Sequence, residues 1–304
     1  PQLYALPFSG FYLAMFGILF PLTLRPVAFK FRSKYDDPAW RSRWDWLLFV
    51  GGFVPALITG VAMGNVLQGV PFRLEPDMQI HYTGSFFGLL NPFALLTGVL
   101  SVVMLVMHGA AWLQLKADGA VADRARRFGS VAAVLTAGLF ALAGVLLYKF
   151  VGGYQITSAV VPTGPSNPLL KTVAQQAGAW FANYAAHPWL YVVPALGVVG
   201  ALLAWLAMLA RKPLPALLCS GLSIAGIVLS VGVSMFPFIL PSSIDPRASL
   251  TVWDSSSSHL TLFIMLVCVL IFLPLILAYT SWVYSVLRGK VDPDDIENER
   301  GHAY

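Results

Sequence analysis

Charge is what this sequence has least of. Asp, Glu, Lys and Arg make up 11 % of its 304 residues, against about a quarter in an ordinary soluble domain. Hydrophobic residues make up 58 %, and the mean hydropathy is +0.73. The net charge of +5 is spread thinly between apolar runs, which excludes a nucleic-acid surface. Cysteine is nearly absent too. Cys219 and Cys268 both lie within apolar runs and read as small buried hydrophobes, not as a disulfide or a metal site. Glu75, Asp77 and His81 share one loop, but their spacing fits no familiar ligand pattern. There is no nucleotide-binding loop. Neither Met nor a basic n-region opens the chain, so no signal peptide is read, and the chain reads as the remainder of a longer protein.

What is present is long apolar runs. A bilayer crossing needs about 20 such residues. The run from Leu260 to Leu287 has 28 with no charge, and ends in Trp282, Tyr284, Arg288 and Lys290, an aromatic belt and a cationic stop. Seven spans can be drawn, at 5–24, 46–68, 86–115, 128–148, 189–210, 214–240 and 260–287. The fold class is therefore an all-α integral membrane protein forming a single transmembrane domain over 1–304. Lys and Arg number 15 in segments 25–45, 116–127, 211–213 and 288–304, and 4 in the alternate segments. The positive-inside rule puts the first set, and the C-terminus, in the cytoplasm. Val173, Ala177, Trp180, Phe181 and Tyr184 fall at helical spacing, so 171–186 is expected as an amphipathic helix on the outer face.

Few polar groups offer chemistry. Arg25 is expected at the inner end of the first span, paired or snorkelling. Trp40, Trp44 and Trp46 alternating with Arg41 and Arg43 read as an interfacial anchor. Gly60 and Gly64 form a GxxxG pair that lets helices approach closely. Asn65 and Asn91 lie at span ends as amides able to bond within the bundle. His108 lies inside the third span. Intramembrane ionisable groups are functional candidates. One reading is a haem ligand; the other, favoured because no second span holds a histidine, is a neutral hydrogen-bonded helix contact. Asp254, or one of Ser255 to Ser258, can cap the last span. With no Asp, Glu, Lys or Arg in mid-span, a stand-alone proton pump is disfavoured. A supporting subunit, or a transporter for a neutral or apolar substrate, remains.

Several stretches carry a resemblance: FSGFYLAM with RPVAFKFRSK, WRSRWDWLLFVGGFVPALITGVAMGNVLQGVPF, YTGSFFGLLNPFALLTGVLSVVM, AGAWFANY, PALGVV, and MFPFILPSSIDPRASLTVWDSSSSHLTLFIM with LAYTSWVY. Together they run from end to end, and the chain closely resembles subunit II of the cytochrome bd-type quinol oxidases. The resemblance implies a nine-span bundle of which two spans precede Pro1. It implies a complex that oxidises quinol, reduces oxygen to water and builds a proton-motive force in a bacterial inner membrane. Two b-type haems and one d-type haem are implied in a partner subunit I. A small single-span accessory subunit, membrane lipid and quinone are further implied partners. The chain itself is expected to bind no haem or metal firmly, with a structural quinone as its one candidate cofactor. No catalytic residue is implied here: the family's histidine–tryptophan–acidic motif falls before Pro1, and Lys30 stands where some relatives carry a carboxylate. Tyr304 resembles the family's terminal tyrosine at the inner entrance. Arg25, Asn65, Asn91, His108, Asp254 and Tyr304 are thus candidates for structural bonding or a proton route.

Overall fold

The computed structural model describes residues 2–159, 166–286 and 289. Its helices are α1 Gln2–Gly10, α2 Tyr12–Arg32, α3 Pro38–Gln68, α4 Pro92–Lys116, α5 Gly119–Lys149, α6 Ala182–Ala186, α7 Val192–Leu209, α8 Pro213–Met235, α9 Val252–Ser255 and α10 His259–Val286. Seven are long and apolar enough to cross a membrane: α2, α3, α4, α5, α7 with the turn before it, α8 and α10. Helices are the expected solution, because the hydrocarbon interior offers no water to satisfy backbone amides and carbonyls.

Consecutive long helices run antiparallel, giving the bundle two unlike faces. One face gathers the ends near Arg32, Lys116, Arg211 and Lys212, and we call it the basic face. The other carries three antiparallel ribbons and is called the hairpin face. Strands β1 Phe72–Leu74 and β2 Ile80–Tyr82 pair with Arg73 opposite His81. Strands β3 Gly152–Ile156 and β4 Val173–Ala177 pair with Tyr154 opposite Gln175. Strands β5 Phe238–Leu240 and β6 Leu250–Thr251 complete the set.

Within the bundle, α3 packs on α4, α4 on α5, α5 on α7 and α7 on α8. Close approach is bought by small residues, since apolar side chains gain little by leaving lipid for protein. A Cβ on Gly60 would lie 2.6 Å from Ser101 Cβ and 2.7 Å from Gly98 Cα; one on Gly64 would lie 2.7 Å from Ala94 Cα. The GxxxG pair is therefore the α3–α4 seam. Gly226 meets the backbone of Gly197 and Leu196 in the same way, closing α7 on α8. Helix α10 is different: none of its residues is buried. It touches α4 through Tyr284 against Trp112, ring centroids 5.8 Å apart, and beyond its end Lys116 Nζ donates to the Gly289 carbonyl at 3.2 Å.

Four expectations need correction. The first span is not 5–24. Helix α2 runs from Tyr12 to Arg32, and α1 belongs to the hairpin face, where Leu6 and Phe11 are buried with Val70, Phe72 and Leu250. The connection at 25–45 shrinks to 33–37, because α2 continues through the RPVAFKFR stretch and Asp37 caps α3, accepting from the Ala39 amide at 3.0 Å ahead of Pro38. The sixth span stops at Met235, and its last residues form β5. The stretch 171–186 is not one amphipathic helix. Val173–Ala177 is a strand, Gly178 turns in the left-handed region at φ 76°, and only Ala182–Ala186 is α-helical. The strand wins because β3 lies alongside to receive its amides, a partner that local spacing cannot reveal.

Candidate functional site

The ribbons do more than join helices. They satisfy the carbonyls that α3 leaves open at its end. Trp180 Nε1 donates to the Leu67 carbonyl at 3.0 Å, and the Tyr154 hydroxyl to the Gln68 carbonyl at 3.1 Å. Both rings are buried against Phe238. Burial pushes the Tyr154 phenol from 10.0 up to about 12, so it remains a donor throughout the physiological range.

Below these caps lies an apolar cavity of about 360 Å³. It sits in the half of the bundle nearer the hairpin face. Met63 and Leu67 of α3, Leu100 and Met104 of α4, Phe140 and Gly144 of α5 and Ile227 of α8 contribute to its walls. Phe181, Tyr184 and Tyr191 line it from the hairpin side. Its polar wall groups are mostly spent on backbone: Thr97 Oγ1 donates to the Ala94 carbonyl at 2.8 Å, Ser230 Oγ to the Gly226 carbonyl at 2.6 Å, and the Tyr184 hydroxyl to the Ser230 carbonyl at 3.1 Å. Asn183 fastens α6 to the end of α8, donating to the carbonyls of Val233 at 2.8 Å and Phe236 at 2.7 Å. Among the described residues, no charged side chain lines the cavity. Such a space suits an apolar molecule with at most a weakly polar head.

The residues singled out from the sequence do not converge on it. Asn65 is buried between helices. Its amide nitrogen donates to the carbonyls of Val61 at 2.8 Å and Leu89 at 2.7 Å, and its oxygen accepts from Asn91 at 3.1 Å. Asn91 in turn caps α4, accepting from the Ala94 amide at 2.9 Å. Together they fix the angle at which the chain leaves α3 and enters α4. Arg25 is exposed within α2, its stem against Gly51 of α3. His108 pairs across helices with Ser220 of α8, Nδ1 to Oγ at 2.9 Å. Because Ser220 gives its own proton to the Leu217 carbonyl at 2.9 Å, Nδ1 is assigned as the donor to Ser220. His108 Cε1 lies 3.7 Å from where a Cβ on Gly221 would stand, so the ring is seated against α8. A lone imidazole in that setting does not fit a bis-histidine haem. Tyr304 lies outside the described residues.

Among the described residues, the Asp254 carboxylate of the hairpin face accepts four hydrogen bonds. It does not cap α10; Ser258 does, accepting from the Thr261 amide at 3.4 Å. Instead Asp254 closes a capping box on α9, accepting from the Thr251 amide at 2.9 Å and the Thr251 hydroxyl at 2.7 Å. It also accepts from Ser255 at 2.8 Å and from Lys171 Nζ at 2.7 Å. Lys171 is the residue that sequence reasoning passed over. Its signal was only that it is one of four cations among the segments opposite the basic loops. Burial lowers its pKa, and the Asp254 carboxylate offsets this in part.

Comparison with known proteins agrees with this architecture. The family model described as cytochrome bd terminal oxidase subunit II matches residues 1–287. A Haemophilus influenzae protein described as probable cytochrome oxidase subunit 2 is 50 % identical over 304 residues, covering all of this chain and 80 % of the relative. Cytochrome bd-I ubiquinol oxidase subunit 2 of Escherichia coli K12 is 46 % identical with the same coverage. Among solved structures, that of the bd oxidase from Geobacillus thermodenitrificans shares the fold, with a TM-score of 0.63 at 16 % identity over 92 % of this chain and 74 % of that one. The transporter reading finds no support in these likenesses. The chain belongs to the cytochrome bd terminal oxidase subunit II family.

Proposed function

We propose that this chain is the haem-free supporting subunit of a quinol:oxygen oxidoreductase and that its apolar cavity houses a structural quinone. The complex oxidises quinol, as the name of the Escherichia coli relative indicates for that protein, and reduces oxygen to water. The haems, two b-type and one d-type, belong to subunit I, with a small single-span subunit alongside. The basic face and the C-terminus lie in the cytoplasm of a bacterial inner membrane, supported by 15 Lys and Arg on that side against 4 on the other.

The observation that carries the quinone reading is the cavity itself. It is apolar, free of charged groups, and headed by the aromatic rings of Tyr184 and Tyr191, against which a quinone ring can pack. Its test is Gly144→Leu. A Cβ at Gly144 meets nothing within 4 Å, so the larger side chain enters the cavity without displacing backbone. Solvent extraction of the purified complex should then yield one quinone fewer per complex than the wild type. An unchanged quinone content would sink the assignment.

A further inference from the structure

The run Asp123-Arg124-Ala125-Arg126-Arg127-Phe128 opens α5 near the basic face. Its three arginines are not equivalent. Arg126 is neutralised by Asp123, Nη2 to Oδ1 at 3.1 Å, and is largely covered. Arg124 and Arg127 are exposed, and among the described residues neither forms an ion pair; Arg124 spends its Nε on the Ala120 carbonyl at 3.4 Å, which leaves its charge unneutralised. They stand three residues apart on one helix, close enough to act on one anion.

Beside Arg124 runs a groove. Val106, Gly109, Ala110 and Leu113 of α4 face Val121, Ala125 and Phe128 of α5 across it. The spacing on each helix is that of a single face, so the groove follows the helix axes. Its floor is shallow at Gly109, where a Cβ would meet nothing within 4 Å. Deeper in the bundle the helices close, since a Cβ on Gly129 would stand 2.7 Å from Ala110 Cβ. Phe128, Leu113, Val121 and Val106 are exposed at its rims. An apolar groove between two membrane-spanning helices, with Arg124 in its lining and Arg127 three residues further along the same helix, matches one chemistry: a fatty acyl chain ending in a phosphodiester. Guanidinium recognises phosphate by charge-assisted bonds, and anionic lipid attracts clustered basic residues at the membrane surface.

We propose that the α4–α5 groove is a binding site for an anionic phospholipid, with an acyl chain over Gly109, Ala110 and Ala125 and the phosphate held by Arg124 with Arg127. A zwitterionic lipid occupies the groove less well, because its ammonium opposes the arginines.

The test uses the purified oxidase complex in mild detergent, exchanged against vesicles of equal parts phosphatidylglycerol and phosphatidylethanolamine, then read by native mass spectrometry. The wild-type complex is expected to retain a phosphatidylglycerol in preference to phosphatidylethanolamine. Arg124→Gln with Arg127→Gln should lower that affinity about tenfold or more, the loss of a charge-assisted hydrogen bond. Gly109→Leu, which fills the groove floor and leaves both charges in place, should lower it as well. Equal retention of the two lipids by the wild type overturns the proposal, as does no retained lipid. Retention by the arginine variant overturns the headgroup assignment, and retention by Gly109→Leu overturns the acyl placement. Should the arginine variant fail to assemble, the lipid preference of the wild type and the Gly109→Leu result still decide.

Discussion

Lys171 and Asp254 show how much a single pair can hold when it is taken out of water. Their side chains are 9 % and 11 % exposed, and the segment before β4 is tied by this pair to the short helix that precedes α10. Removing one member of a buried pair strands the other and costs about 3–5 kcal/mol. The two members are not symmetric here. Asp254 keeps three hydrogen bonds from Thr251 and Ser255 if Lys171 is lost, whereas among the described residues Lys171 would keep the Pro168 carbonyl alone, at 2.9 Å, if Asp254 is lost. Asp254→Ala is therefore expected to lower the thermal midpoint of the complex more than Lys171→Met, by loss of both the pair and the α9 cap. Thermal denaturation followed in detergent measures the order of the two, and a larger effect from Lys171→Met would contradict it. The sequence displays both residues but not their meeting, since 83 positions separate them.

At the scale of elements, the long helices are legible because each contains an apolar run of about span length, while the charged turns by which α2, α3 and α5 extend past that run were read as loops. The ribbons are not, because strands of two to five residues carry almost no pattern and their partners are distant in sequence. Val173, Ala177 and Tyr184 have helical spacing, yet the backbone is claimed by β3 and turned by Gly178. The cavity was equally hidden, for its walls come from α3, α4, α5 and α8 together. The α3–α4 seam was visible as a GxxxG pair, although the pair alone names no partner helix. Gly60→Leu is expected to force α3 from α4, since side-chain and backbone atoms of Ser101 and Gly98 stand within 2.7 Å of the new Cβ. The assembled complex recovered from membranes should fall several-fold, as judged by size exclusion, while Gly109→Leu on the open side of α4 should leave recovery near wild type. Equal recovery of the two variants would refute the seam.

For the whole molecule, the notable feature is that the polar residues inside the bundle are spent on structure. Seven span-length helices contain one histidine in their interiors, His108, and it is committed to Ser220. The described residues hold no group of three or more His, Cys, Asp and Glu placed to bind a metal ion. Polar residues instead set caps and helix angles, as Asn65, Asn91 and Asp254 do. If the chain supports a haem-bearing partner and binds no haem itself, then His108 can be replaced without loss of any haem. His108→Asn retains a donor to Ser220 and removes the imidazole that an iron would need. The decisive measurement is the visible absorption spectrum of the purified complex carrying His108→Asn, normalised to protein. The b-type and d-type bands are expected at wild-type positions and wild-type stoichiometry. The loss or shift of one haem band in a complex that is otherwise fully assembled would make His108 a haem ligand and contradict the haem-free role of this chain.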